Sequence, residues 1–296
     1  MTDWTTRSVA WASGGLLALN PADFLEPAGE PGIAAPNSMS WRVFGNPVSM
    51  AVGGVAAVLL ELGEPRVRAG VWDHSSFRTD PAGRIRRTAY GAMLTVFAAE
   101  SRFAAYASRV NAIHAAVAGA ADDGRRYRAS EPDLLRWVQT TAAFGFVEAY
   151  EQLVEPLGPG QRDQFCAEAA VGARYYGVTE PPETAASMRA LIATSVPQLT
   201  PSPVLGEFLA IMRNAPILPS AVRRLQPALV RAALGLVGPE ALAAMTLDGE
   251  AQWTAGERRW WRRLARVAEV VPRPGDPRRM ARRRLSRPAV AGRPRS

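Results

Sequence analysis

The sequence contains no lysine: all 35 of its Lys-or-Arg positions are arginine. It has one cysteine, Cys166, and two histidines, His74 and His114, forty residues apart. A single cysteine excludes an internal disulfide, which suits a reducing compartment. Two distant histidines and one cysteine do not supply the clustered ligands of a zinc hydrolase. Val71 and Asn111 stand three residues before the two histidines, so neither Glu-x-x-His motif of a helical di-iron site exists. A Gly-rich phosphate loop with its lysine, a dinucleotide fingerprint and a G-x-S-x-G elbow are also missing. No apolar run reaches the roughly 20 residues of a membrane-spanning helix; the longest, Val48 to Leu60, is broken by Ser49, Gly53 and Gly54. With no basic leader before a long apolar run, the chain is expected to be soluble and cytoplasmic.

What is present is ordinary for a folded chain: 296 residues, 48% of them apolar and 21% charged. The net charge of +8 equals that of residues 273–296 alone, which hold nine arginines against Asp276. The basic excess is therefore a local feature, expected to be a disordered tail. Anionic lipid is a conceivable weak contact for it; specific nucleic-acid binding is not expected, because prolines are interleaved and aromatics are lacking. Residues 1–40 read as a proline- and glycine-rich arm that packs through Trp4, Trp11 and Phe24, and residues 41–272 as one helical domain.

Asn46-Pro47 and Asp80-Pro81 have the form of a helix cap followed by proline in the first turn. The first helix carries Ala51, Gly53, Gly54, Ala56 and Ala57, small enough to admit a neighbouring helix or a flat ligand, and Glu64-Pro65 ends it. The second sets Ile85, Ala89, Ala92 and Val96 toward the core and Arg84, Thr88, Gly91 and Thr95 along another stripe. Val110, Ile113, His114 and Val117 place His114 on or beside an apolar helix face, with Gly119 as the stop. Ser130 is expected to cap a long helix, boxed by Asp133. After a turn at Pro156 to Gly160, Phe165, Ala169, Ala173 and Tyr176 mark another helix; later ones follow Pro181-Pro182 and Pro203, one or two lie within 219–246, and one runs through Trp260, Leu264, Val267 and Val271. Sustained period-2 alternation is absent, so the fold class is all-α.

One cofactor survives these exclusions. Haem iron needs one protein ligand, an apolar slot, and cations for two propionates. His114 meets the first need, and Arg84, Arg87, Arg125 and Arg126 are candidates for the last. His74 beside Asp73 reads as a loop or cap residue and Cys166 as a buried thiol. A non-catalytic helical pocket for haem or lipid is the other reading.

The order Asn46-Pro47, Gly53-Gly54, Gly70 to Phe77, Asp80-Pro81, Arg84-x-x-Arg87-Thr88, Ile113-His114 and Tyr127-x-Ala129-x-x-Pro132-x-Leu134-Leu135-x-Trp137-Val138 resembles the MpaB-type oxygenases, the group that includes the latex clearing proteins or rubber oxygenases. The resemblance covers roughly residues 40–215. It implies a helical, globin-like core, haem b, and oxygenation of an apolar, alkene-containing substrate with O2. His114 matches the family's proximal iron ligand, and Arg84, Arg87 and Thr88 its Arg-x-x-Lys/Arg-Thr motif. Arg87 stands where the rubber oxygenases have lysine, and a guanidinium is not an iron ligand. The family's distal glutamate has two candidates in range, Glu64 and Asp73, and neither aligns securely.

Overall fold

The computed structural model describes residues 19–218, 220–273 and 275–288. The expectations placed on Trp4, Trp11 and residues 289–296 lie outside them.

Capping sets the order of helices. After short α1 (Ala22–Leu25) and α2 (Met39–Val43), α3 (Pro47–Gly63) opens on Asn46, whose side chain accepts from the amides of Val48 and Ser49. Glu64 ends α3 and at once caps α4 (Pro65–His74), so the Glu64-Pro65 stop also starts a helix that periodicity did not reveal. Asp80 caps α5 (Pro81–Phe97), and a corner at Ala98 and Ala99 leads into α6 (Glu100–Ala116).

A hairpin of β1 (Ala118–Ala120) and β2 (Arg126–Arg128) follows, too short to carry an alternation signal. Gly119, read as a helix stop, instead pairs with Tyr127. A Cβ there would lie 2.8 Å from the Tyr127 hydroxyl. Next comes α7 (Pro132–Leu153), capped by Glu131 with no side-chain bond, so the Ser130–Asp133 capping box is not formed. The Glu131 carboxylate accepts instead from the Arg128 amide and from Arg66.

The remaining helices are α8 (Pro159–Tyr175), α9 (Ala185–Ser195), α10 (Pro203–Asn214), α11 (Gln226–Val237), α12 (Pro239–Ala244), α13 (Ala255–Val270) and α14 (Pro277–Leu285). The molecule is all-α apart from the hairpin. Among the described residues no single helix is long and apolar enough to cross a membrane; α3 and α4 pass only as a pair bent by 110°.

The centre of the molecule is the crossing of α3 and α7, the most extensive helix contact in the chain. A Cβ on Gly53 would sit 2.4 Å from the Gly145 carbonyl oxygen, and one on Gly145 would sit 2.4 Å from that of Gly53. The small-residue face of α3 is thus taken by a helix backbone. Around this crossing α4, α10, α11, α12 and α13 enclose the largest core, while α2, α8 and α9 close another side of α7. A further core gathers Phe24, Trp41, Phe97, Phe103 and Met280 from α1, α2, α5, α6 and α14. Phe24 packs edge-on to Tyr90, so this part of the N-terminal arm does dock through an aromatic.

The basic segment is where the sequence reading needs correction. Within residues 273–288, expected to be disordered, Asp276-Pro277 repeats the cap-and-proline start and opens α14. Met280, Ala281 and Arg284 form its buried face. The Arg284 side chain is fully buried and donates to the carbonyls of Phe24, Glu30 and Phe97 at 2.8–2.9 Å. One arginine thereby ties α14 to α1, the Glu30 loop and the end of α5. Arg284→Met should leave three carbonyls unpaired in the interior and cost about 3 kcal/mol or more. In a thermal melt that corresponds to a fall of roughly 6–12 °C; an unchanged melting temperature would show that α14 is not a structural clasp.

Candidate functional site

The α5–α6 corner brings the candidate residues together. α5 and α6 meet at Ala98 and Ala99, and the charge of Arg84 on the first reaches His114 on the second. Arg84 lies in the first turn and a half of α5, and His114 in the last turn of α6, each fifteen residues from Ala99. Gly91 and Tyr106 face each other halfway along: a Cβ at Gly91 would be 2.6 Å from the Tyr106 hydroxyl, so the mid-helix glycine does serve a close contact.

His114 is half-buried, and its Nδ1 is buried with no hydrogen-bond partner. Burial, helped by the positive charge of Arg84, pushes its pKa below the usual histidine value and favours the neutral imidazole, which is the ligating form. Arg84 is depressed as well, first by burial and against the pull of Glu61. Its Nη1 donates to the Thr88 hydroxyl at 2.6 Å, while its Nε is buried without a partner. Asn111, one turn before His114, has an equally orphaned Oδ1, although its Nδ2 donates to the Tyr175 carbonyl. Buried polar atoms are rarely left unpaired; three of those without a partner thus lie on these two helices, and others belong to Trp72, Trp137, Glu151, Trp261 and Arg284.

The acid that answers Arg84 is Glu61, near the end of α3. Burial raises its carboxyl to about 8, against the opposing effects of Arg84 and of the Thr141 hydroxyl on α7. Sequence reading missed it. The signal was there: Glu61 is the sole charged residue of α3. The two acids considered instead have other places. Glu64 is buried, accepts the Val67 amide at 2.8 Å, and pairs with Arg66 and Arg125. Asp73 is exposed on α4.

The other sequence candidates spread out. Thr88 is exposed and bonds back to the Arg84 carbonyl at 3.1 Å. Arg87 turns to the loop before α5, donating to Ser76 at 2.5 Å and to Asp80 at 3.4 Å. Arg125 is held by Asp123 at 2.7 Å and Glu64 at 3.6 Å, and Arg126 stands exposed on β2. His74 is exposed at the end of α4. Cys166 is buried in α8, and burial with the nearby Asp163 lifts its thiol to about 11, the opposite of a thiolate ligand. Among the described residues no group of three or more His, Cys, Asp or Glu side chains converges on a metal-sized site.

A haem asks instead for an imidazole and cations; α5 and α6 offer Arg84 with an unpaired Nε and His114 with an unpaired Nδ1, and Glu61 of α3 adds a protonatable acid near Arg84. Residues 41–270 match the model described as ER-bound oxygenase mpaB/B'/Rubber oxygenase, catalytic domain. No curated protein and no solved structure matches the chain.

Proposed function

We propose, from the premise that this chain belongs to the mpaB/rubber oxygenase catalytic-domain family, that it is an oxygenase that works through haem b on an apolar, alkene-containing substrate. Membership of an oxygenase family places the chain among oxidoreductases; the haem and the substrate class are the proposal. The observation that carries it is the neutral-favouring imidazole of His114, its Nδ1 buried without a partner, within the electrostatic reach of Arg84, whose Nε is unpaired as well.

In this reading His114 ligates the iron and Arg84 meets a propionate or the distal polar groups. The porphyrin iron would supply the redox chemistry with O2. The protein's own part is positioning and proton handling. Thr88 accepts from Arg84 and fixes the guanidinium. Glu61 holds a proton on its carboxyl at neutral pH, because its value of about 8 lies above that range. It is therefore the chain's available acid, and it becomes a base as the pH passes that value. Arg87 is not an iron ligand in this scheme, since it serves Ser76 and Asp80.

The test is a visible spectrum. Purified or hemin-reconstituted protein should show a Soret band, and His114→Ala should lose or shift it while keeping its helical circular dichroism. A chain indifferent to hemin removes the haem reading. A His114→Ala spectrum identical to that of the parent moves the ligand elsewhere.

A further inference from the structure

Much of the outer face of α13 is exposed among the described residues, with only Leu264 of its apolar stripe packed against the largest core. Trp260, Leu264, Val267 and Val271 recur at i, i+4, i+7 and i+11, which is one stripe of an α-helix. Trp260 is 42% exposed, Val267 55% and Val271 50%, with Val270 beside them at 78%. This stripe is distinct from the buried face of the same helix, which presents Trp261 and Ala265.

One border of the stripe is cationic. Arg259, Arg263 and Arg266 are exposed, and no ion pair forms to them among the described residues. The acids of α13 are engaged elsewhere: Glu257 holds Arg231, and Glu269 meets Asn46 and Arg278. Beyond Val271 the chain turns at Pro272 into a surface cavity of about 320 Å³ lined by Arg273, Arg279 and Arg283, with Asp276 bound to Arg273. Arg279 and Arg283 are likewise exposed and without ion pairs among the described residues.

We propose that the α13 stripe and the arginine-lined cavity at its end dock the protein onto an anionic lipid surface. Trp260, Val267, Val270 and Val271 would enter the boundary between headgroups and acyl chains, and the arginines would meet lipid phosphates. A convex helix with an aromatic and three valines beside uncompensated arginines suits that boundary, because arginine stems follow apolar surface while their heads stay with phosphate. A second copy is disfavoured: a twofold contact would oppose Arg259, Arg263 and Arg266 to their own equivalents with no acid between them. The proposal is independent of the haem reading.

The experiment is flotation of the purified full chain with vesicles of phosphatidylcholine alone or mixed with phosphatidylglycerol, at low and at raised salt. Binding is expected with the mixed vesicles and should weaken as salt rises. Val267→Asp with Val271→Asp, and separately Arg259→Glu with Arg263→Glu, should each reduce partitioning by about tenfold or more. All four positions are exposed, so helical signal and melting temperature should hold. Absence of binding to mixed vesicles at low salt overturns the proposal, as does binding undiminished in both pairs of variants. A parent dimer that Val267→Asp with Val271→Asp converts to monomer, without lipid binding, assigns the stripe to a second copy instead. None of these outcomes alters the Soret experiment.

Discussion

Gly145→Val is expected to destabilise this chain severely. Gly145 and Gly53 are where the backbones of α7 and α3 touch, each putting its carbonyl oxygen 2.4 Å from the place a Cβ would take on the other. No rotamer relieves such a clash, because the atom met is main chain in the middle of a helix. The two helices would have to separate, and their crossing supports the largest core. Overpacking commonly costs 1–3 kcal/mol; here, with backbone on both sides, about 3 kcal/mol or more is expected. That is a large part of the roughly 5–15 kcal/mol that holds a domain together. Gly54, the next residue, is the control. A Cβ there would meet only the Phe146 ring at 3.7 Å, an ordinary contact. Gly54→Ala should therefore be neutral or gain up to about 1 kcal/mol of helix propensity. Urea unfolding of the two variants measures the difference. Equal stability would mean that α3 and α7 do not cross at these glycines.

The second large effect is that of Glu61→Gln. The buried carboxyl has its pKa raised from an ordinary 4.5 to about 8, so the folded chain holds this proton more tightly than the unfolded chain does. Where the native state binds more protons, stability falls as pH rises. From this group alone, stability should be greatest below about pH 4.5 and should decline until about pH 8. Glutamine keeps the shape and cannot ionise, so the variant should lack that decline and should exceed the parent in stability above about pH 8. Denaturant midpoints across this range read it directly, and parallel curves for the two proteins would sink the assignment. If Glu61 is also the proposed proton donor, oxygenase turnover in the parent should fall above about pH 8. Turnover in Glu61→Gln should be lower by about 100-fold.

Much of the helical framework was legible before any coordinates. Asn46-Pro47 and Asp80-Pro81 start helices because the cap and the proline act within four residues of one another. The same logic applied to Asp276-Pro277, where the density of arginine and proline hid it. The fully buried Arg284 shows why composition misled: its Nε and Nη1 are held by carbonyls from residues 24, 30 and 97, which no local window contains. The Ser130 cap failed for a comparable reason, since Glu131 is engaged by Arg66 from α4.

The site divides along the same line. His114 and Arg84 were legible as a candidate ligand and a candidate cation, because helical spacing and residue chemistry are local properties. That the charge of one reaches the other was decided by how α5 and α6 meet at Ala98 and Ala99. Glu61 was invisible as a partner, because its altered acidity comes from burial between α3, α5 and α7, helices spread over some ninety residues of chain. By itself, then, the sequence determined an all-helical chain and its principal helix starts, and it singled out His114 as the histidine proposed to ligate iron. Tertiary structure alone decided that a helix rather than a flat ligand lies against Gly53, which acid answers Arg84, and which arginines remain unpaired. Hydrogen-bonded caps and apolar spacing act over a few residues, whereas burial, electrostatic field and close backbone approach depend on which distant segments the fold brings side by side.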